Sequence, residues 1–373
     1  MSFSAFDHAS MSQALRLAAL GMNTTRPNPR VGCVLAVRNE VVAEGWHEVA
    51  GGPHAEVAAL DKAGPAARGS TAYVTLEPCS HHGRTPPCAD RLIEAGIERV
   101  VVASVDPNHA VNGTGLERLR AAGIAVQTGL LGDQAEALNA GFFKRMRSGR
   151  PWLRVKAAIS LDGRTGLSNG DSKWITSAAS RRDVQAWRAR SCAMLTGLGT
   201  VMADNPSLTA RVEDPPLRPL RVIADSHWRT PPGSRVLDDP GTALIAGLAD
   251  SAIPPELADT GVTCLPLPGS VDGVDLGALL DGLGERGINE VQVEAGARLC
   301  GSLLRGGFVD EVLVYLAPVL LGEGGPGPFA LGELESMAGR TYLEVIETCA
   351  VGPDLRLRLT PGTGESADAA GDE

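Results

Sequence analysis

Pro53-His54-Ala55-Glu56 opens, and Glu77-Pro78-Cys79-Ser80-His81-His82-Gly83-Arg84-Thr85-Pro86-Pro87-Cys88 closes, the stretch on which the reading of this chain turns. One imidazole and two thiolates make three protein ligands for a tetrahedral Zn²⁺ and leave the fourth position for water. Glu56 stands two residues past His54, too close along the backbone to be an obvious fourth ligand but able to reach such a water. An open zinc with a carboxylate beside it suits metal-assisted hydrolysis. The ion lowers the pKa of its water toward ~7, and the carboxylate moves the protons.

His-x-Glu followed by Pro-Cys and a second Cys resembles the zinc nucleobase deaminases. Their two Cys are usually separated by two residues, whereas eight lie between Cys79 and Cys88. Taken singly, His54 reads as a helix-start residue and each Cys as an ordinary thiol. Together, in this order and with Glu56 and Pro78, they read as a catalytic metal site. A closed structural zinc that recruits His81 or His82 is the alternative, and it leaves Glu56 without a role.

Outward from this stretch the first half alternates strands and helices. Apolar spacing predicts a helix over Phe6 to Leu20 and strands over Val31 to Val37 and Val41 to Trp46. His54 begins a helix, Thr71 to Leu76 is a strand that ends just before Cys79, and Pro87-Cys88 opens the next helix. Both thiols then lie near helix N-termini, where thiolates are favoured. A strand over Arg99 to Ser104, a helix over Leu116 to Ala122 and a closing helix over Asp133 to Arg147 complete a three-layer α/β domain. Two loops are candidate ligand contacts: Pro27-Asn28-Pro29, and Asp106-Pro107-Asn108 with the Asn112-Gly113-Thr114-Gly115 run.

With 373 residues the chain exceeds one typical core. Ser148-Gly149-Arg150-Pro151 breaks the pattern, so residues 1–148 form one domain, 149–361 a second, and 362–373 a disordered acidic tail. The second half offers strands over Trp152 to Ile159, Ala193 to Thr196, Arg221 to Ala224, Glu290 to Val293 and Glu311 to Leu316. Its helices are Ala178 to Arg190, capped by Ser177, and Leu276 to Arg286; Val236 to Gly273 is punctuated by Pro, Gly and Asp. Strand-then-Gly junctions at Gly197–Thr200 and Gly296–Ser302 suit phosphate on backbone amides. A net charge of −10 disfavours nucleic acid. Seven Cys without a signal-like N-terminus fit a reducing cytoplasm, and no apolar run is long enough for a membrane span.

Both halves together resemble the bifunctional riboflavin-biosynthesis deaminase/reductases, in which the long Cys spacing is the family's own. The second half carries Lys156-Ala157-Ala158-Ile159-Ser160-Leu161-Asp162-Gly163-Arg164, Trp174-Ile175-Thr176-Ser177, Thr200-Val201-Met202-Ala203-Asp204-Asn205-Pro206, Val293-Glu294-Ala295-Gly296 and Val314-Tyr315-Leu316-Ala317-Pro318. The resemblance implies a cytidine-deaminase-like N-terminal domain and a dihydrofolate-reductase-like C-terminal domain. The first would deaminate a diaminopyrimidinone ribosylamine 5′-phosphate. The second would use NADPH to reduce its ribose to a ribityl chain.

By position, His54, Cys79 and Cys88 would hold one zinc per chain, with Glu56 as the proton shuttle. Ala158, Trp174, Thr200, Asp204, Ser226 and a loop of Gly296, Ala297, Arg298, Leu299, Cys300, Gly301 and Ser302 would contact the cofactor. Ser172, Arg188, Leu208, Arg211 and Glu294 would contact the substrate, the two Arg suiting a sugar phosphate. A homo-oligomer acting on a small phosphorylated pyrimidine, without nucleic acid or membrane, is expected. Two rivals stand beside this reading. One is a deaminase with a non-reducing second domain, and the other is a non-catalytic protein stabilised by zinc.

Overall fold

The computed structural model describes residues 2–80, 86–108, 111–212, 218–239 and 241–362. His81, His82 and the acidic tail past Gly362 lie outside them. The chain divides into two compact units, Met1–Arg150 and Pro151–Glu373. Among the described residues no helix is long and apolar enough to cross a membrane.

The first unit runs α1 (Ala5–Leu20), β1 (Gly32–Val37), β2 (Glu40–Trp46), α2 (Ala55–Ala63), β3 (Thr71–Leu76), α3 (Cys88–Glu94), β4 (Arg99–Ser104), α4 (Thr114–Ala121), β5 (Ala125–Thr128), α5 (Gly132–Leu138) and α6 (Ala140–Ser148). Its sheet has the order β2-β1-β3-β4-β5; β1 is antiparallel to both neighbours, and β3, β4 and β5 are parallel. Because strand side chains alternate faces, Cys33, Leu35, Val100 and Val102 pack on α2, α3 and α4, whereas Val34, Ala36, Val101 and Ala103 pack on α1 and α5. This is the expected three-layer arrangement. The closing helix expected over Asp133 to Arg147 is instead two helices broken at Asn139. The Asn139 amide leaves the helical pattern to bond the Arg30 N–H at 2.8 Å and the Arg30 carbonyl at 2.9 Å.

The second unit runs β6 (Trp152–Ser160), α7 (Ala178–Arg190), β7 (Ala193–Gly197), α8 (Leu198–Asp204), β8 (Leu220–Ala224), β9 (Ala243–Leu248), α9 (Pro255–Ala258) and β10 (Thr263–Leu267). There follow the two-residue strands β11 (Gly269–Ser270) and β12 (Gly273–Val274), then α10 (Leu276–Glu285), β13 (Glu290–Val293), α11 (Ala297–Arg305), β14 (Glu311–Ala317), β15 (Leu343–Val351) and β16 (Asp354–Pro361). Nine strands form one sheet in the order β10-β9-β8-β7-β13-β6-β14-β16-β15, parallel up to β14. The antiparallel hairpin β15–β16 closes its edge. Val236 to Gly273, read only as punctuated chain, holds β9 and β10. Gly296 to Ser302, expected as a loop, is the cap and first turns of α11.

At the N-terminal ends of the central strands, Arg154 pairs with Glu311 at 2.9 Å and Glu290 at 3.5 Å, all three almost wholly buried. Arg190 shares Glu290, Arg358 shares Glu311, and Arg356 joins Asp183 to Glu347. The guanidinium carbons of Arg154, Arg190, Arg356 and Arg358 lie 4.6, 5.2, 5.5 and 5.4 Å from the centroid of Trp187. Desolvated guanidinium over an indole face is a favourable cation–π contact. This network ties α7 to β13, β14, β15 and β16.

Candidate active sites

In the first unit α2 seats directly on β2 because Gly45 has no side chain; a Cβ there would fall 2.4 Å from the Ala55 carbonyl oxygen. That close approach sets the start of α2, where His54 is the N-cap in extended conformation, with no side-chain cap bond. Its ring turns instead to the thiols. Nδ1 lies 3.2 Å from Cys88 Sγ and 3.7 Å from Cys79 Sγ. The three ligand atoms all fall within 4.8 Å of one another. Zinc bonded to nitrogen and sulfur at its usual lengths spaces such atoms about 3.5 Å apart in a tetrahedron. The donor set therefore fits zinc.

Cys79 stands just past β3, and the amide of Cys88, at the start of α3, donates to its Sγ at 3.3 Å. Its thiol is drawn down to about 4, chiefly by the hydrogen bond from Cys88, with His54 also favouring the charge against burial. The Cys88 thiol is pushed up by that partnership and by burial. Glu56, in the first turn of α2, is 3 % exposed. Burial pushes its carboxyl up to about 7, and His54 pulls the other way.

Sequence reasoning missed His47. It is buried beside His54, ring centroids 5.5 Å apart and edge to face. Its Nδ1 lies 2.9 Å from the Pro53 carbonyl, an acceptor only, so that nitrogen carries the proton. Nε2 then accepts from Asn28 Nδ2 at 3.1 Å, which fixes which way the Asn28 amide points. Nothing in the spacing of a lone His after a strand signals this role.

In the second unit, the C-terminal ends of β6, β7, β8 and β13 open into a cleft of about 1290 Å³. Ligands of open α/β sheets bind at this end of the strands. Ala158, Ser172, Trp174, Arg188, Thr200, Asp204, Leu208, Arg211, Ser226 and Glu294 all line it, as do Gly296, Ala297, Arg298, Leu299, Cys300 and Ser302. Gly301 does not. It faces Ala330, whose carbonyl oxygen would be 2.2 Å from a Cβ at that position, so the helical turn carries it away from the cleft.

Arg188 and Glu294 meet each other inside this cleft, Nε to Oε1 at 2.7 Å and Nη2 to Oε2 at 2.6 Å. Arg188 Nη1 also donates to the Thr209 carbonyl at 3.1 Å. Burial alone would raise the Glu294 carboxyl, but Arg188 holds it down at about 2. Lys156, also facing the cleft, has its ammonium pushed down by burial, which Glu294 opposes. Two charged residues, Arg154 and Lys156, interrupt the apolar β6, and Lys156 is the one that faces the cleft. Asp204 ends α8, with Asn205 in the left-handed cap (φ 41°), and its carboxylate lies 3.5 Å from Lys173 Nζ.

A three-layer unit with a His/Cys/Cys metal site, followed by a parallel-sheet unit with a nucleotide-sized cleft, defines a two-site enzyme of the deaminase/reductase class. Two family descriptions match accordingly: the cytidine and deoxycytidylate deaminase zinc-binding region over residues 4–104, and the RibD C-terminal domain over residues 151–357. The riboflavin biosynthesis protein RibD of Escherichia coli is 48% identical over 366 residues, 95% of this chain and 99% of that protein. The solved structure of Acinetobacter baumannii RibD superposes with a TM-score of 0.90 at 44% identity, covering 96% of this chain and 99% of that one. A Thermotoga maritima diaminohydroxyphosphoribosylaminopyrimidine deaminase/5-amino-6-(5-phosphoribosylamino)uracil reductase superposes with a TM-score of 0.85 at 33% identity, covering 96% and 99%. The chain belongs to the RibD family. The expected pairing of a deaminase-like and a reductase-like domain holds.

Proposed function

We propose that this chain carries out two successive steps of riboflavin biosynthesis: hydrolytic deamination of the diaminopyrimidinone ribosylamine 5′-phosphate, then NADPH-dependent reduction of its ribosyl group to ribityl. The observation that carries the first step is the convergence of His54, Cys79 and Cys88 beside the buried Glu56. In this reading those three residues hold zinc, which when bound lowers the pKa of a water it holds to about 7. Glu56 takes a proton from the attacking water on its carboxylate and delivers it to the departing amine. A buried carboxyl beside the ligand set is placed for both transfers. A closed site would need a fourth protein ligand; the candidates for it, His81 and His82, lie outside the described residues, and such a site would leave the buried Glu56 without a role.

For the second step, Trp174, Thr200, Asp204, Ser226 and the start of α11 would hold NADPH, which supplies hydride when bound. Ser172, Arg188, Leu208, Arg211 and Glu294 would seat the sugar phosphate. The seven free thiols are in keeping with a cytoplasmic enzyme. Strand β15, with Val345 and Ile346 more than half exposed, suits a homo-oligomer, which light scattering checks.

Cys79→Ser should lower zinc content and abolish ammonia release, as elemental analysis and an ammonia assay will read. Active enzyme without zinc would refute the mechanism. Asp204→Asn separates the two steps. Its charge is removed while the end of α8 is kept, so ammonia release continues, NADPH oxidation collapses and the deaminated ribosylamino intermediate accumulates. Normal NADPH oxidation would return Asp204 to helix termination and its pairing with Lys173.

A further inference from the structure

We propose that Glu77 is a positioning residue of the deaminase centre: its carboxylate clasps the chain between β4 and α4 and so fixes the Cys79 segment for zinc. Glu77 follows β3 directly and is 4 % exposed. Its Oε2 accepts from the amides of Asp106 at 3.2 Å and Gly113 at 2.9 Å. Its Oε1 accepts from those of Gly115 at 2.9 Å and Leu116 at 3.4 Å. Two carboxylate oxygens offer about four lone-pair sites, and main-chain amides fill them. The start and the end of one connection therefore meet on a single side chain.

Cys79 lies two residues further on, and α4 reaches both of its neighbours. Gly115 passes so close to Pro78 that a Cβ would fall 2.0 Å from its carbonyl oxygen. Arg118 Nη1 donates to the Ser80 carbonyl at 3.2 Å, and the Ser80 and Thr114 hydroxyls are 2.5 Å apart. Pro78 and Ser80 thus rest on α4, and the start of α4 rests on Glu77. A thiolate held in advance binds its metal without ordering its own loop, and groups that orient ligands tune metal affinity.

This inference rests on the zinc assignment proposed above. Glu77→Gln keeps the side-chain length but turns an amide N–H₂ toward main-chain N–H groups, so about half of the four bonds are lost. In the full chain this variant should retain its reductase activity and bind zinc about 10–100-fold more weakly in competition with a chromophoric chelator. Its ammonia release should be low at limiting zinc and recover at saturating zinc, which a general loosening of the fold would not do. Arg118→Ala, at an exposed position, removes the Ser80 clamp and also the 2.6 Å ion pair to Asp90 at the start of α3. Read against Asp90→Asn, which removes that ion pair alone, it should weaken zinc binding further, by a smaller factor than Glu77→Gln. That comparison decides the matter if Glu77→Gln does not fold. Unchanged zinc affinity in the folded variants overturns the proposal, and so does lost ammonia release that saturating zinc fails to restore. A native chain that binds no zinc would instead overturn the metal assignment.

Discussion

Glu56→Gln should keep the metal and lose the reaction, with zinc content unchanged and ammonia release down by about 10²–10⁴, the usual contribution of a positioned general acid–base. The substitution preserves shape and removes only the capacity to carry a proton. His54, Cys79 and Cys88 lie within reach of one another without help from Glu56, so the donor set survives. Apart from the three ligands, its titratable neighbours among the described residues are poor substitutes: burial pushes the Cys33 thiol well up, and His47 is locked by Pro53 and Asn28 with its pKa kept low by burial. Reductase turnover on pre-deaminated substrate should be unaffected, which separates lost chemistry from lost folding. Near-normal ammonia release would move the proton-carrying role to another group.

The largest effect on stability is expected at Arg154. Arg154→Ala strips the shared cation from Glu290 and Glu311, each about 1 % exposed. Breaking a buried ion pair from one side costs about 3–5 kcal/mol. Arg190 and Arg358 remain beside the two carboxylates, so a loss of about 3 kcal/mol is expected, a large part of the 5–15 kcal/mol typical of a domain. The consequence reaches the cleft. β13 carries Glu290 into the network and is followed directly by Glu294 in the cleft, while α7 carries Trp187 and Arg190 on one side and Arg188 on the other. Urea unfolding followed by loss of NADPH binding should show a lower midpoint. A shift worth less than about 1 kcal/mol, the median for exposed pairs, would mean that the cluster behaves as surface charge.

Much of the first unit was legible because each element ends on chemistry that has a sequence signal. Thr71 to Leu76 and Arg99 to Ser104 are apolar runs with polar ends, and both strands fall on those residues. His54 before an Ala-rich run marked the start of α2. The break at Asn139 was not legible, since its partner Arg30 is 109 residues away. Strand β15 was missed because a bulge between Val345 and Glu347 interrupts the alternation that marks a half-buried strand, whereas β16, with Leu355, Leu357 and Leu359 alternating with Arg356 and Arg358, carried that signal and went unread. The resemblance put Arg188 and Glu294 together as substrate contacts, and both line one cleft. It could not show that they bind each other, because their pairing depends on β13 and α7 lying side by side. Glu77 looked like part of a motif, and its amide partners come from 29 to 39 residues downstream.

Three of the five guanidinium N–H groups of Arg188 are taken before any substrate arrives, two by Glu294 and one by the Thr209 carbonyl. The side chain is therefore frozen by folding rather than by recognition. Immobilising a long side chain on binding typically costs about 0.5–1.5 kcal/mol, and a ligand entering this cleft meets that ordering already done. The carboxylate offsets the charge of Arg188 itself, so attraction at a distance falls to the other cations that line the cleft, Lys156, Arg211 and Arg298 among them, while the two remaining N–H groups of Arg188 can only direct what arrives. In the proposed reading Arg188 therefore contributes direction rather than attraction, and favours a phosphate presented at one angle among the anions that the other cations draw in.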